Sequence, residues 1–318
     1  MKGKRILVTG GAGFIGCNFV RHMLGEHPET EIVVLDKLTY AGRLENLEDV
    51  KSRIKFVKGD ICDKEAVKRT MEGCDSVVNF AAESHVDRSI ASPEDFVRTD
   101  VLGVFTLLEE ARRRDVKKFV QISTDEVYGS TELDSFSEKD VLDPSSPYSA
   151  SKAGGELLAR SYVRTYGLDV MVTRSSNNYG PYQYPEKLIP VLVIKALKNQ
   201  PLPIYGKGAN VRDWLHVDDN CRAIDIVISK GKPGDIVNVG SGNEVPNIVI
   251  AKLILKHMKK PESLIKFVSD RPGHDFRYSL NWDRIRQLGW KPKVKFEDGL
   301  RKTVDWYVTN EAWWKPIA

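Results

Sequence analysis

The chain of 318 residues has only four cysteines, Cys17, Cys62, Cys74 and Cys221. They are scattered and form no C-x-x-C, so neither a zinc knuckle nor a disulfide framework is expected. Each reads as a small core hydrophobe, and four free thiols suit a reducing compartment. The histidines form no cluster either, so no metal site is expected. Long apolar runs are also missing. The apolar part of MKGKRILVTGG is too short for a signal peptide, and Lys195 interrupts LIPVLVIKAL. No membrane span is expected, and a cytoplasmic location follows. Charge of one sign is scarce too. Forty-eight basic residues against 44 acidic ones give +4, far from the basic stripe of a nucleic-acid binder. Internal repeats and low-complexity tracts are absent, while 41% hydrophobic content is enough for a real core.

What is present is an alternation. KRILVTG, EIVVLD, IKFVKGD, DSVVNFAA, KKFVQIST and LDVMVTRSS read as strands. FIGCNFVRHMLGEH and PEDFVRTDVLGVFTLLEEARRR read as helices between them. Val and Ile on both faces of the strands predict a parallel sheet covered by helices, a Rossmann-type doubly wound α/β fold. After Asn177 the texture changes: NNYGPYQYPEKLIP holds three prolines, as a boundary or a ligand-facing connection does. Residues 1–177 are therefore read as a dinucleotide-binding domain. Residues 178–318 are read as mainly a smaller α/β substrate domain, with the chain returning to the first around 211–240.

Two motifs carry chemistry. VTGGAGFIG sets Gly10, Gly13 and Gly16 between a strand and a helix. Bare backbone there lets a pyrophosphate approach the helix N-terminus and its free N–H groups. Asp36 ends the second strand, 20 residues beyond Gly16. Its carboxylate suits ribose hydroxyls and repels a 2′-phosphate, which favours NAD over NADP. Asp60 and Ile61, after the third strand, flank the adenine in this reading. YSASK places Tyr148 and Lys152 four apart, on one helical face. Free tyrosine has a pKa of about 10, and a nearby ammonium lowers it. So activated, Tyr148 can take a proton from a sugar hydroxyl as hydride leaves the same carbon.

STDEVYG then sets Asp125 and Glu126 side by side at the end of a strand. Adjacent acids there are either turn carboxylates or an acid and a base aimed at one substrate. With the glycine cradle and YSASK, the chain resembles the nucleotide-sugar branch of the extended short-chain dehydrogenases/reductases over essentially its whole length. STDEVYG, AAESHVDRS, NNYGPYQYPEKLIP, VRDWLHVDD and DRPGHD together are similar to the dTDP-glucose 4,6-dehydratase family. The resemblance implies a lyase that oxidises C4 with NAD, eliminates water across C5 and C6, and returns the hydride to C6. UDP-sugar 4-epimerases and UDP-glucuronate decarboxylases of the same superfamily are the alternative. Neither of those reactions expels a C6 hydroxyl, so Asp125 discriminates.

The resemblance further implies that Thr124 holds the O4 region, Asp125 is the acid, Glu126 the base and Tyr148 the O4 proton acceptor, with Lys152 beside it. Phe14, Ile15, Asp36, Lys37, Leu38, Thr39, Asp60, Ile61, Ala81, Ala82, Ser84, Thr99, Lys152 and Asn178 touch NAD. His85, Asn177, Lys187, Leu188, Pro203, Ile204, Tyr205, Arg212, Asn247, Asp270, Arg271, Pro272, Gly273 and His274 face the dTDP-sugar. Arg212 offers a fork for a diphosphate, or else an ion pair with Asp213 or Asp218. Tyr205 stacks on a base or simply packs. His85 and His274 are polar contacts or satisfied core groups. A homodimer through a four-helix bundle is implied as well, although the wide apolar faces of its helices also suit packing on the sheet. One departure is visible: bacterial members carry a longer segment between the Tyr-Gly of STDEVYG and the tyrosine of YSASK. Here STELDSFSEKDVLDPSSP reads as a trimmed surface loop.

Overall fold

The computed structural model describes residues 4–270 and 274–318. Strands form where β-branched and leucyl side chains alternate between two covered faces. β1 (Arg5–Thr9), β2 (Glu31–Asp36), β3 (Ile54–Lys58), β4 (Ser76–Asn79), β5 (Lys118–Thr124) and β6 (Val170–Ser175) come from the first half. β7 (Asn177–Tyr179), β8 (Leu202–Tyr205), β9 (Val211–His216), β10 (Ile236–Val239), β11 (Glu244–Pro246) and β12 (Ile265–Val268) follow. Seven of them build one sheet in the order β10-β6-β5-β4-β1-β2-β3. Every neighbouring pair in it is parallel. This is the doubly wound sheet that the alternation predicts.

The side-chain period of two divides the core. Ile6 and Val8 of β1 face a cluster with Phe19 and Met23 of the helix Phe14–Glu26 and with Ile224 of the helix Val217–Lys230. Leu7 faces the other cluster, with Val67, Leu107 and Ala159. Each such side chain contributes about 1.5–3 kcal/mol by leaving water. A third cluster joins Leu192, Ile250 and Leu300 from the helices Leu188–Leu197, Asn247–His257 and Phe296–Thr309. The parallel pair β8–β12 and the three-stranded sheet β11-β9-β7 complete this second unit. The helix Val217–Lys230 and β10 lie instead with the large sheet, where β10 pairs with β6.

Strand order reverses between β1 and β4, and a crevice opens beyond the carboxyl ends of strands there. One helix departs from the sequence expectation. PEDFVRTDVLGVFTLLEEARRR is not uniformly α-helical: a π-helical turn, Arg98–Gly103, separates Glu94–Val97 from Val104–Arg113. The helix passes so close to Gly155 that a Cβ there would strike the Asp100 carbonyl. The turn directs the Asp100 carboxylate inward. Such turns recur at functional sites.

Candidate active site

One wall of the crevice is backbone. Gly10 has φ of +66°, and a Cβ on it would sit 2.5 Å from the Ala81 nitrogen. A Cβ on Gly16 would strike the Gly10 carbonyl, so neither position tolerates a side chain. Asp36 holds this loop in shape: its Oδ2 accepts from the Ala12 N–H at 2.9 Å and its Oδ1 from the Leu38 N–H at 2.8 Å. Burial pushes the Asp36 carboxyl up, and those two N–H donors pull it back. Beside it Lys37 Nζ pairs with Asp60 Oδ2 at 2.8 Å. Gly10, Gly13, Phe14, Ile15, Gly16, Asp36, Lys37, Thr39, Asp60, Ile61, Ala81, Ala82, Ser84, Thr99, Tyr148 and Lys152 all line the cleft. A dinucleotide fits these residues: bare glycine backbone at a helix N-terminus beneath, a carboxylate at the end of β2. Leu38 and Asn178 do not line it. Leu38 packs against the first core cluster. Asn178 lies in β7, where its Nδ2 donates to the Ser176 carbonyl at 2.9 Å.

Ile122 and Ser123 of β5 also line the cleft, and the acids follow them on a turn beside it, outside the lining. β5 runs into a 3-10 turn, Asp125–Tyr128, capped by Thr124, whose Oγ1 accepts from the Glu126 N–H at 3.3 Å. Thr124 Oγ1 also donates to Asp125 Oδ1 at 3.1 Å. Capping therefore falls to Thr124 and not to the two carboxylates. Tyr128 pins the turn from behind through its hydroxyl, which donates to Asn238 Oδ1 at 2.8 Å. Arg174 donates to the same hydroxyl and pairs with Glu156 inside the core. Asp125 is 3% exposed. Burial and then the neighbouring Glu126 charge hold its carboxyl well above the usual range.

Tyr148 stands beside this turn. The helix Pro147–Tyr166 starts at Ser146, whose Oγ accepts from the Ser149 N–H at 3.1 Å, with proline in the first turn. Tyr148 and Lys152 thereby share one buried face. Tyr148 feels Thr124, Asp125 and Glu126 directly. Burial, Glu126 and Asp100 push its phenol well above the ordinary value, while the Thr124 hydroxyl pulls it down. This differs from the expected lowering by Lys152. The lysine Nζ donates to the Ile122 carbonyl at 2.7 Å, and burial lowers its own pKa. Burial and the nearby carboxylates raise the phenol instead.

The remaining candidates fall into groups. The Arg212 guanidinium is held by carbonyls, Val211 at 2.8 Å and Asp275 at 3.0 Å, and lies over the Tyr278 ring. Asp213 is engaged elsewhere, by Ser241 and Asn243, so Arg212 is not its ion-pair partner. Arg212 is instead close enough to Asp125 to pull its pKa down. His85 Nδ1, Asn177 Oδ1 and Asn247 Oδ1 are buried without a hydrogen-bond partner, as are Ser123 Oγ and Asp125 Oδ2. Lys187 lines the cleft and donates to the Ser84 carbonyl at 2.5 Å, and Leu188 opens the next helix. Tyr205 meets the His274 ring edge-on at 6.0 Å, and His274 Nδ1 lies 2.6 Å from Asp270 Oδ1. Pro203 and Ile204 belong to β8, but Ile204 points into the third core cluster. Arg271, Pro272 and Gly273 lie outside the described residues.

Sequence reasoning missed Tyr40, Gly42, Glu83, Ser123, Gln183, Tyr184 and Glu186, which also line the cleft. Only Tyr40 and Gly42 had a local signal, the glycine that follows the corner after Asp36. A Cβ on Gly42 would sit 2.6 Å from Asp36 Oδ1. Asp100 was missed too. Its Oδ1 accepts from the Glu83 N–H at 3.2 Å and its Oδ2 from Ser151 Oγ at 2.8 Å. Among the described residues, no group of three or more His, Cys, Asp or Glu is placed to hold a metal ion. Among them no helix is long and apolar enough to cross a membrane.

A doubly wound sheet, a glycine cradle and a buried Tyr–Lys helix facing it define an extended short-chain dehydrogenase/reductase fold. The chain belongs to the GDP-mannose 4,6-dehydratase family, whose family model it matches over residues 7–303. It is 51% identical over 320 residues to a dTDP-glucose 4,6-dehydratase of Streptomyces niveus, covering 98% of this chain and 95% of the relative. DesIV, a dTDP-glucose 4,6-dehydratase from Streptomyces venezuelae solved with NAD bound, superposes with a TM-score of 0.97 at 51% identity. That match covers 99% of this chain and 100% of DesIV. A UDP-glucose 4-epimerase from Thermotoga maritima, solved with UDP-glucose, is more distant, with a TM-score of 0.91 at 30% identity. It covers 96% of this chain and 99% of the epimerase chain.

Proposed function

We propose that this chain is an NAD-dependent dTDP-glucose 4,6-dehydratase that converts dTDP-glucose to dTDP-4-keto-6-deoxyglucose and water. The observation that supports this reading most is that Thr124, Asp125 and Glu126 stand next to the Tyr148 phenol, with burial and Glu126 raising the Asp125 carboxyl. Gly10, Gly13, Gly16 and Asp36 hold the cofactor, with Tyr148 and Lys152 at its reactive end. NAD supplies a positively charged acceptor that oxidises C4 and later reduces C6. That charge is also what Tyr148 needs, since the carboxylates around it disfavour phenolate. Tyr148 takes the O4 proton, aided by Thr124. Ketone formation at C4 makes the C5 proton acidic; Glu126 removes it as carboxylate and returns a proton to C5 when the hydride comes back to C6. Asp125 donates its proton to the departing C6 hydroxyl, which leaves as water. An epimerase needs no such acid, so a protonated carboxyl beside an ionised one favours elimination. Arg212, buried and held among carbonyls, holds the diphosphate.

Purified protein given dTDP-glucose and catalytic NAD is expected to yield the 4-keto-6-deoxy product, seen by its absorbance in alkali, without net reduction of cofactor. UDP-glucose run in parallel reports how far the base matters. Folded, NAD-loaded protein that makes only a 4-epimer is incompatible with the proposal. Val97, Leu102, Phe105 and Leu157 stay exposed on the helices about the π-helical turn and on Pro147–Tyr166. We assign that face to a homodimer built as a four-helix bundle, in a cytoplasmic enzyme. Light scattering that returns the mass of one chain rejects the dimer.

A further inference from the structure

Three segments far apart in sequence meet across the mouth of the cleft, and none of the roles above uses the contact. Tyr40 follows the corner after Asp36, Arg88 lies on the helix Val86–Ala91, and Tyr184 and Glu186 lie on the connection after β7. Tyr40, Tyr184 and Glu186 line the same cleft as the glycine cradle. The Tyr40 and Tyr184 rings meet edge to face, with centroids 5.3 Å apart at 83°. The Arg88 guanidinium sits 3.8 Å from the Tyr40 ring centroid, and its Nε donates to Glu186 Oε2 at 3.2 Å. The contacts join cleft-lining residues from distant parts of the sequence, and all depend on exposed or half-buried side chains. The core does not need them: the Arg88 side chain is 51% exposed.

We propose that Tyr40, Arg88, Tyr184 and Glu186 form a clasp that retains the dinucleotide in the cleft between turnovers. This rests on the dehydratase reading. A reaction that ends with its cofactor in the starting oxidation state has no step at which that cofactor must leave. Retention then shortens the idle time of the enzyme, whereas an ordinary dehydrogenase must exchange its cofactor every cycle. The edge-on ring pair and the cation over the ring are each weak alone. Together they are strong enough to slow release by about tenfold.

The test is release of cofactor rather than activity. Wild type, Arg88→Ala, Tyr40→Ala and Tyr184→Phe are loaded with NAD and stripped of free cofactor by rapid gel filtration. The NAD remaining on the protein is then followed with time. Arg88→Ala and Tyr40→Ala are expected to lose it about tenfold faster. Tyr184→Phe keeps the ring and is expected to stay within about twofold of wild type. Release at the wild-type rate from both alanine variants, with unchanged thermal unfolding, overturns the clasp. Wild type that never retains NAD fails the dinucleotide reading itself, a different result.

Discussion

The cofactor wall of the cleft and the acid turn beside it, the reaction wall, are built on opposite principles. On the cofactor wall the carboxylates are already satisfied by the protein: both Asp36 oxygens accept backbone N–H groups, and Asp60 is paired with Lys37. Shape there comes from missing side chains, and a Cβ at Gly10 or Gly16 would collide with backbone. On the reaction wall Asp125 Oδ2 and Ser123 Oγ are buried with no hydrogen-bond partner. An unmet buried polar atom costs about 1–3 kcal/mol. The fold therefore carries a cost at the reaction wall that it does not carry at the cradle. A rigid cradle needs only to receive a constant ligand. A reaction wall must keep donors and acceptors unspent for groups that change protonation during turnover.

The sharpest way to break that contrast is to remove one acid at a time. Asp125→Asn keeps the shape of the turn but cannot give a proton to the leaving hydroxyl. Elimination is expected to fall by on the order of 10³-fold, while C4 oxidation and NAD binding persist. In a single turnover the variant accumulates reduced cofactor, visible by its absorbance. Glu126→Gln is expected to stall at the same stage, because C5 keeps its proton. Equal losses in oxidation and elimination, or a loss of NAD binding in either variant, would erase the division between the two walls.

The same contrast explains what could be read from the sequence. The cradle is contiguous: strand, glycines, helix and then Asp36 lie within 36 residues of the start. Its physics is local sterics, so Gly10, Gly13 and Gly16 identify themselves. The alternation of buried strands and amphipathic helices is local as well, and it carries the doubly wound sheet. The reaction wall depends on distance. Nothing near Arg212 in sequence says that carbonyls of Val211 and Asp275 will hold it rather than Asp213. Nothing near Tyr148 says that Lys152 will turn to the Ile122 carbonyl, leaving burial and the acids to raise the phenol. Asp100 was illegible for the same reason. Its partners Glu83 and Ser151 are 17 and 51 residues away, and they meet it only because a π-helical turn interrupts an apparently regular helix.

Asp100 belongs to both walls, and it offers a smaller test of how far the cost spreads. It receives the Glu83 N–H from the cofactor side and Ser151 Oγ from the catalytic helix, and it is 2% exposed. Burial pushes its carboxyl up to about 7, with Lys152, Ser151 and the Glu83 N–H pulling the other way. In the unfolded chain it titrates near 4. Between those two values the folded chain holds a proton that the unfolded chain has released. Folding stability from this group is therefore complete at low pH and falls as pH rises through that window, then levels off. An asparagine fits the same contacts: its carbonyl accepts from the Glu83 N–H, and its amide donates to Ser151 Oγ, which still has the Tyr148 carbonyl 2.8 Å away. Asp100→Asn is thus expected to match wild type at about pH 4 and to exceed its stability above about pH 7, by on the order of 1–4 kcal/mol. Denaturant unfolding at the two ends of the window measures the difference. Parallel pH dependence in variant and wild type would mean that Asp100 is ionised in the native fold, with Lys152 compensating it. The cost of buried acids would then be confined to Asp125 and its immediate neighbours.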